Sequence, residues 1–395
     1  MTLTDPTPFS PQEYERRLSL TRAAMGRVGI DVLIATDPSN QAWLTGYDGW
    51  SFYVHQAVIV PLDGTPFWWG RMQDSNGALR TVNRAVTDVE FYTDGFVQST
   101  ERHPMQDLSA KLAARGLARG RIGVEMDNYY FSAKAYTTLL DSLPDATVVD
   151  ATALVNWQRA IKSEEELTFM RKAATITEKI TQLAIDRAAP GVRKNELAAE
   201  ITAAGLTGVG ETWGDYPAIV PLMPSGTDAA APHLTWNGDK MKTGEVTFFE
   251  LAGCYRRYHV PLSRSVMLGT PPDHIKRGEE ALIEGLEAGL DKARAGNRTQ
   301  DIANALGAAM DKAGIERGAR CGYSIGLSYP PDWGERTMSL RPEDETVLHP
   351  GMTFHFMPGL WMEDWGLEIT ESILITEEGP AQPFCTIERK LFVKD

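Results

Sequence analysis

Apolar and polar positions in the first half of the chain alternate between helical and strand-like periods. Pro11–Val28 places its apolar residues at helical spacing, and Asp31-Val-Leu-Ile-Ala follows as a short buried strand that ends at the turn signal Asp37-Pro-Ser-Asn. Gln56-Ala-Val-Ile-Val-Pro, Thr65-Pro-Phe-Trp-Trp and Arg121-Ile-Gly-Val-Glu predict further strands, with helices at 106–115 and 133–143, and Thr147-Val-Val-Asp-Ala-Thr then leads toward residue 159. Such alternation predicts a mixed sheet flanked by helices. The pattern changes at Arg159-Ala-Ile-Lys-Ser-Glu-Glu-Glu-Leu, where Ser163 and Glu166 form a capping box ahead of a long helix. We place a domain boundary there, giving residues 1–158 and 159–395. The second part predicts helices at 164–188, 194–204, 272–293 and 299–313. Its strands fall at 218–220, 246–251, 263–268, 352–357 and 368–376. Read as a whole the chain is α+β.

Composition narrows the function classes. A chain of 395 residues with 23% charged residues and a formal net charge of -14 is expected to be a soluble protein of two domains. Uniform acidity disfavours nucleic acid and anionic membrane as partners, since both repel it. No apolar run approaches the roughly 20 residues that span a bilayer. The start, MTLTDPTPFSPQEYERR, has neither the basic region nor the apolar core of a signal peptide. A cytoplasmic location is the expectation. Cys254, Cys321 and Cys385 are scattered, form no C-x-x-C pair, and read as buried thiols.

Candidate chemistry centres on residues 247–268, TFFELAGCYRRYHVPLSRSVML. An acid, Glu250, ends an apolar strand, and a Tyr-Arg-Arg-Tyr-His run leads into a second apolar strand. This hairpin resembles that of the pita-bread family (creatinase, prolidase, methionine aminopeptidase), and R-x-I-K-S-x-x-E-L is how catalytic domains of that family begin. The resemblance implies a creatinase-like α/β domain followed by a pita-bread domain of two pseudo-symmetric halves. Metal-dependent members supply carboxylates as D-x-G and S-D-x-T-R. Here those positions read Glu250 and Pro261. The G-H-x-x-G turn is similar to Gly322-Tyr323-Ser324-Ile325-Gly326, and E-P-G to Met357-Pro358-Gly359. The terminal acid falls on Thr370, with Glu371 and Glu368 close by. A two-metal hydrolase holds its ions with several hard oxygen ligands and an imidazole. This set is too poor, so no metal and no other cofactor is expected.

Without a metal, Glu250 is the candidate nucleophile or general base. The alternative is a glutamate merely paired with Arg256, Arg257 or Arg264. His233, in Pro-His-Leu-Thr-Trp, matches the histidine that creatinase-like enzymes use to donate and accept protons. Tyr323, with an ordinary phenol pKa near 10, suits substrate positioning better than proton abstraction. His259, His355 and Glu368 are further substrate-binding candidates. Residues 43–53, WLTGYDGWSFY, place Tyr47 and Trp50 in a glycine-punctuated aromatic loop that reads as a binding wall, a packed core or a dimer interface. Residues 329–336 (YPPDWGER, with Trp333) and 359–365 (GLWMEDW) read as further walls. Rings with acids among them can hold an organic cation.

An acid, a histidine, no metal and aromatic walls suggest C–N hydrolysis of a protonated amidine or guanidine. The segments WLTGYDGWSFYVHQ, GVEMDNYYFS, DATALVNWQRA, FFELAGCYRRYHVPLSR and GLSYPPDWGERTMSLRP resemble the ectoine hydrolase members of the family, and the match runs over nearly the whole chain. That resemblance implies opening of a small zwitterionic cyclic amidine, ectoine or hydroxyectoine, to N-acetyl-2,4-diaminobutyrate. It also implies a homodimer with sites near the subunit interface. A creatinase-like amidinohydrolase, a metal-dependent Xaa-Pro peptidase and a catalytically dead binding protein are the alternatives. Arg257, Arg264 and Arg336 are unranked candidates for the substrate carboxylate.

Overall fold

The computed structural model describes residues 7–395, so the first six residues of the N-terminal segment lie outside the described residues. The chain separates into two compact units between Arg159 and Ala160. The first contains α1 (Pro11–Val28), β1 (Val32–Ala35), α2 (Pro38–Thr45), β2 (Ala57–Pro61), β3 (Phe67–Arg71) and α3 (Met72–Thr81). It continues with β4 (Asp88–Tyr92), α4 (Pro104–Ala114), β5 (Gly120–Val124), α5 (Ala133–Ser142), β6 (Ala146–Asp150) and α6 (Leu154–Arg159). Its sheet runs β4-β3-β2-β1-β5-β6. β1–β2 and β2–β3 pair antiparallel, while β3–β4, β1–β5 and β5–β6 pair parallel. The mixed sheet expected from the pattern is therefore present. Strand period puts Val32 and Ile34 into one apolar cluster and Leu33 and Ala35 into the other, so both faces are covered.

Several local expectations differ from the structure. Asp37-Pro-Ser-Asn is a helix start instead of a loop: the Asp37 side chain accepts from the Ser39 N–H and Pro38 takes the first helical turn, where its missing N–H costs nothing. α3, β4, β6 and α6 lack a predicted counterpart; β4 is half exposed, and its weak apolar signal follows from its edge position. Residues 218–220 form no strand, because the Ala218 N–H goes to the His259 ring instead of a ladder.

The second unit contains α7 (Glu164–Arg187), α8 (Lys194–Thr207), β7 (Val246–Tyr255), β8 (Tyr258–Leu268), α9 (Asp273–Lys292) and α10 (Thr299–Lys312). Next come β9 (Gly322–Ile325), β10 (Gly334–Ser339), β11 (Thr353–Phe356), β12 (Gly359–Trp361), β13 (Gly366–Glu368), β14 (Glu371–Leu374), β15 (Gln382–Pro383) and β16 (Phe392–Lys394). One sheet runs β10-β9-β11-β14-β15, another β16-β8-β7, and β12 pairs with β13. The predicted strand at 368–376 is broken at Ile369-Thr370, since both flanking pieces pair with different partners. The capping box at Ser163 and Glu166 is formed in both directions.

The β7–β8 hairpin is held against α7 by backbone approach. A Cβ on Gly253 would lie 2.3 Å from the Ala173 carbonyl and 2.5 Å from the Thr177 nitrogen, so only glycine fits. The Thr177 hydroxyl then accepts from the Gly253 N–H (2.9 Å) and donates to the Val260 carbonyl (2.6 Å). The hairpin turns on Arg256 and Arg257, with φ of 51° and 67°. A two-residue turn of this hand normally takes Asn-Gly. Here the arginines stack instead, Arg256 over Trp213 at 5.2 Å and Arg257 over Tyr216 at 3.8 Å. Among the described residues no helix is long and apolar enough to cross a membrane. The three cysteines are free and buried.

Candidate active site

Glu250 sits in the middle of β7, its backbone exchanging hydrogen bonds with Leu222 (2.9 and 3.2 Å). Its carboxyl is buried, and its pKa is raised well above the ordinary value by burial first, then by the nearby charges of Glu368 and Asp332. Glu368 ends β13, where its N–H donates to the Ser265 hydroxyl (2.9 Å). Burial raises its pKa to about 7; the nearby Ser263 and Trp361 side chains hold the shift back. The Trp361 indole N–H donates to Oε1 (2.9 Å), while Oε2 has no hydrogen-bond partner of normal geometry. No lysine or arginine pairs with either carboxylate among the described residues: Arg264 is held by Glu371 (2.7 Å), and Arg257 lies 3.6 Å from Asp215. Arg264 also donates to the carbonyls of Ser263, Thr370, Ile387 and Glu388, so it is committed to the scaffold.

Two other strands and the break between β13 and β14 bring hydrogen-bonding groups to the same place. His355 on β11 has its Nδ1 3.1 Å from the Tyr323 hydroxyl and 3.8 Å from Glu250 Oε1. Its Nε2 lies 2.9 Å from the Thr370 hydroxyl. Burial lowers its pKa to about 3, so the ring is neutral. Tyr323 on β9 accepts from the Trp333 indole N–H (2.7 Å). Thr370 Oγ1 accepts from the Ser263 N–H (2.7 Å). This network is satisfied when the Thr370 hydroxyl donates to His355 Nε2 and Nδ1–H donates to Tyr323. Tyr323 then has its own proton to offer toward Glu250. Burial, then the charge of Glu250, pushes the phenol well above its ordinary pKa, so it is a donor and not a base.

The remaining candidates are placed differently. The buried His259 accepts the Ala218 N–H at Nε2 (2.9 Å), so that nitrogen serves the backbone; its pKa is lowered to about 3 by burial. His233 is exposed, in the turn after the short helix Gly226–Ala230. The Met223 N–H donates to the Thr235 carbonyl (3.2 Å), which seats this segment beside the Leu222–Glu250 bridge. No hydrogen bond joins His233 to Glu250 among the described residues. Tyr47 and Trp50 belong to the N-terminal unit. Gly46, left-handed at the end of α2, turns Tyr47 into the core against Trp68 (ring centroids 4.9 Å), whereas Trp50 is 57% exposed. Thr370, read in the sequence only as a lost ligand position, and Trp361, within the 359–365 wall, emerge as polar partners of His355 and Glu368. Thr370 takes its place at the break between β13 and β14.

The donors present do not fit a two-metal centre. Among the described residues no group of three His, Cys, Asp or Glu side chains could hold a metal ion. Pro261 lies mid-strand opposite Ala252, Tyr323 offers a phenol, and Glu371 is taken by Arg264 and Arg389. What remains is a pair of buried acids facing neutral imidazole, phenol and indole groups. Such a site suits a delocalised organic cation, whose charge both acids attract and whose faces the rings accept.

The raised Glu368 pKa has a consequence for stability. The folded protein binds this proton more tightly than the unfolded chain, so the contribution is complete below pH about 4.5 and is lost as pH rises through about 7. Glu368→Gln should flatten the fall in stability across that window in denaturant titrations; an unchanged slope would mean the carboxyl is not buried as described.

These features define a hydrolase of the pita-bread class, and the comparisons agree. The metallopeptidase family M24 model matches residues 168–377, and the creatinase/prolidase N-terminal domain model matches residues 17–161. The chain belongs to the metallopeptidase M24 family. It is 58% identical over 394 residues to ectoine hydrolase from Halomonas elongata, covering 98% of each chain. An uncharacterised hydrolase/peptidase of Sinorhizobium fredii is 41% identical, over 98% of this chain and 99% of that one. Among solved structures, the prolidase of Thermococcus sibiricus superposes with a TM-score of 0.84 at 19% identity, over 98% of this chain and all of that one, which shows the shared fold.

Proposed function

We propose that this protein hydrolyses ectoine and hydroxyectoine, opening the cyclic amidine ring to N-acetyl-2,4-diaminobutyrate without a metal. One observation carries the reading: two buried carboxylates, Glu250 and Glu368, share a site with no lysine or arginine beside either among the described residues. The amidinium of the substrate supplies the missing positive charge. The 58% identity to the Halomonas elongata enzyme supports the substrate.

The chemistry follows from the charges. In the free site burial, then the charges of Glu368 and Asp332, raise the Glu250 pKa and favour its neutral form. A docked amidinium opposes that shift, and Glu250 passes its proton to His233 and ionises beside an electrophilic carbon. Its oxygen forms a bond to that carbon as the C=N electron pair moves onto nitrogen. His233 protonates the departing ring nitrogen, the C–N bond breaks, and water then releases the acyl group from Glu250 as His233 takes back a proton. Tyr323, fixed by Trp333 and His355, donates toward the reacting centre and orients it. Trp333 and Trp361 wall the ring.

Substrate loss in EDTA, with ectoine, creatine and an Xaa-Pro dipeptide side by side, tests this reading. Ectoine should be consumed at the same rate before and after chelation. Activity lost to chelation and restored by one divalent ion would overturn it, and consumption of creatine or dipeptide instead would reassign the substrate. We also propose that the active species is a homodimer whose sites lie near the subunit interface. Light scattering should give twice the 43.6 kDa chain mass; a fully active monomer would exclude it.

A further inference from the structure

Apart from Glu250 and its neighbours, the second unit holds a cavity of about 410 Å³ beside α10, within the size range of small-molecule sites. Its lining combines the apolar Leu306 with three arginines (Arg317, Arg320, Arg341) and two acids, Asp311 and Glu343. None of the arginines has an ion-pair partner among the described residues. Arg317 spends its donors on the backbone carbonyls of Gly359, Ala319, Arg320 and Met357. Arg320 and Arg341 both donate to one acceptor, the Ser339 hydroxyl, at 3.1 and 3.0 Å. Two like charges are thus gathered on one neutral oxygen, an arrangement that a bidentate carboxylate would relieve. Arg320 also lies over the Tyr323 ring, 4.7 Å from its centroid. The cavity therefore touches the reaction centre through one side chain.

We propose that this cavity is a second binding site for a small amino-acid zwitterion, its carboxylate taken by Arg320 and Arg341 and its ammonium by Asp311 and Glu343. The two acids select against phosphates and polycarboxylates, which they repel. A ligand that draws Arg320 toward the cavity loosens its stacking on Tyr323 and so lowers turnover without competing with substrate. The ligand class does not depend on the reaction proposed above.

Calorimetry with γ-aminobutyrate as probe, and inorganic phosphate at matched ionic strength as control, tests the site independently of activity. The wild-type protein should bind γ-aminobutyrate with at least about tenfold preference over phosphate, the scale of one charge-assisted hydrogen bond gained or lost. Arg341→Gln, remote from the reacting groups, should weaken that binding about tenfold or more by the same reasoning while keeping basal turnover and Tm. In the kinetics, the probe should lower kcat in the wild type and leave it unchanged in Arg341→Gln. Phosphate binding as tightly as the zwitterion, no binding at millimolar probe, purely competitive inhibition, or equal affinity in wild type and Arg341→Gln would each overturn the proposal.

Discussion

Glu250→Gln is expected to lose turnover by about three orders of magnitude or more, the scale for removing a nucleophile that acts as a unit with its partners. The amide keeps the shape of the side chain but cannot ionise. Glu368 still provides a buried acid beside the cation, so substrate should bind with only a modest loss of affinity. His233→Ala should slow both formation and breakdown of the intermediate, by about 10²–10⁴-fold for a general acid–base group. Intact-mass measurement on rapidly quenched wild-type enzyme should detect a substrate-derived adduct, and peptide mapping should assign it to Glu250. An adduct on another residue, or near-normal turnover in Glu250→Gln, would remove Glu250 from the centre of the mechanism. Absence of any adduct alongside a dead Glu250→Gln variant would instead make it a base acting through water.

Lys162→Met should be strongly destabilising. Lys162 Nζ lies 2.7 Å from Glu335 Oε2 with both side chains shielded from solvent. Removing one member of a buried ion pair costs about 3–5 kcal/mol. For a unit of this size that lowers Tm by on the order of 10 °C. The pair also fixes the segment that carries Trp333, and Gly326 makes room for it: a Cβ there would lie 2.3 Å from Glu335 Oε1. Lys162→Met with Glu335→Leu should recover much of the loss, because both members of the buried pair are then replaced together. Equal losses in the single and double variants would contradict the buried pairing.

The Lys162–Glu335 pair illustrates what sequence reading can reach. Lys162 is visible as part of the motif that opens the second unit, but its partner lies 173 residues away, and no local pattern links them. Local features are legible: α1 has the predicted bounds, and the Ser163–Glu166 box closes as its spacing requires. The cap at Asp37 escapes a local reading because Asp-Pro-Ser opens a helix as readily as it makes a turn. Burial of the whole of α2 selects the helix, and burial is not a local property.

The active site divides in the same way. By itself the sequence determined that an acid, Glu250, belongs to an apolar strand, although it stands mid-strand and not at the end, that Pro261, Tyr323 and Met357 stand where metal ligands would be found, and that aromatic residues crowd nearby. These are chemical identities, and identity survives without coordinates. Only the tertiary structure decided which acid faces Glu250. Glu368, Thr370 and Glu371 lie within four positions, yet Glu368 approaches Glu250, Thr370 bonds His355 and Glu371 pairs with Arg264. The chain leaves one strand pairing and enters another between β13 and β14, and the break reorients consecutive side chains. Tertiary structure likewise decided that the Glu250 pKa is raised well above the ordinary carboxylate value. Its pKa is set by burial and by charges on β13 and in the 329–336 segment, which meet only when the sheets close around it.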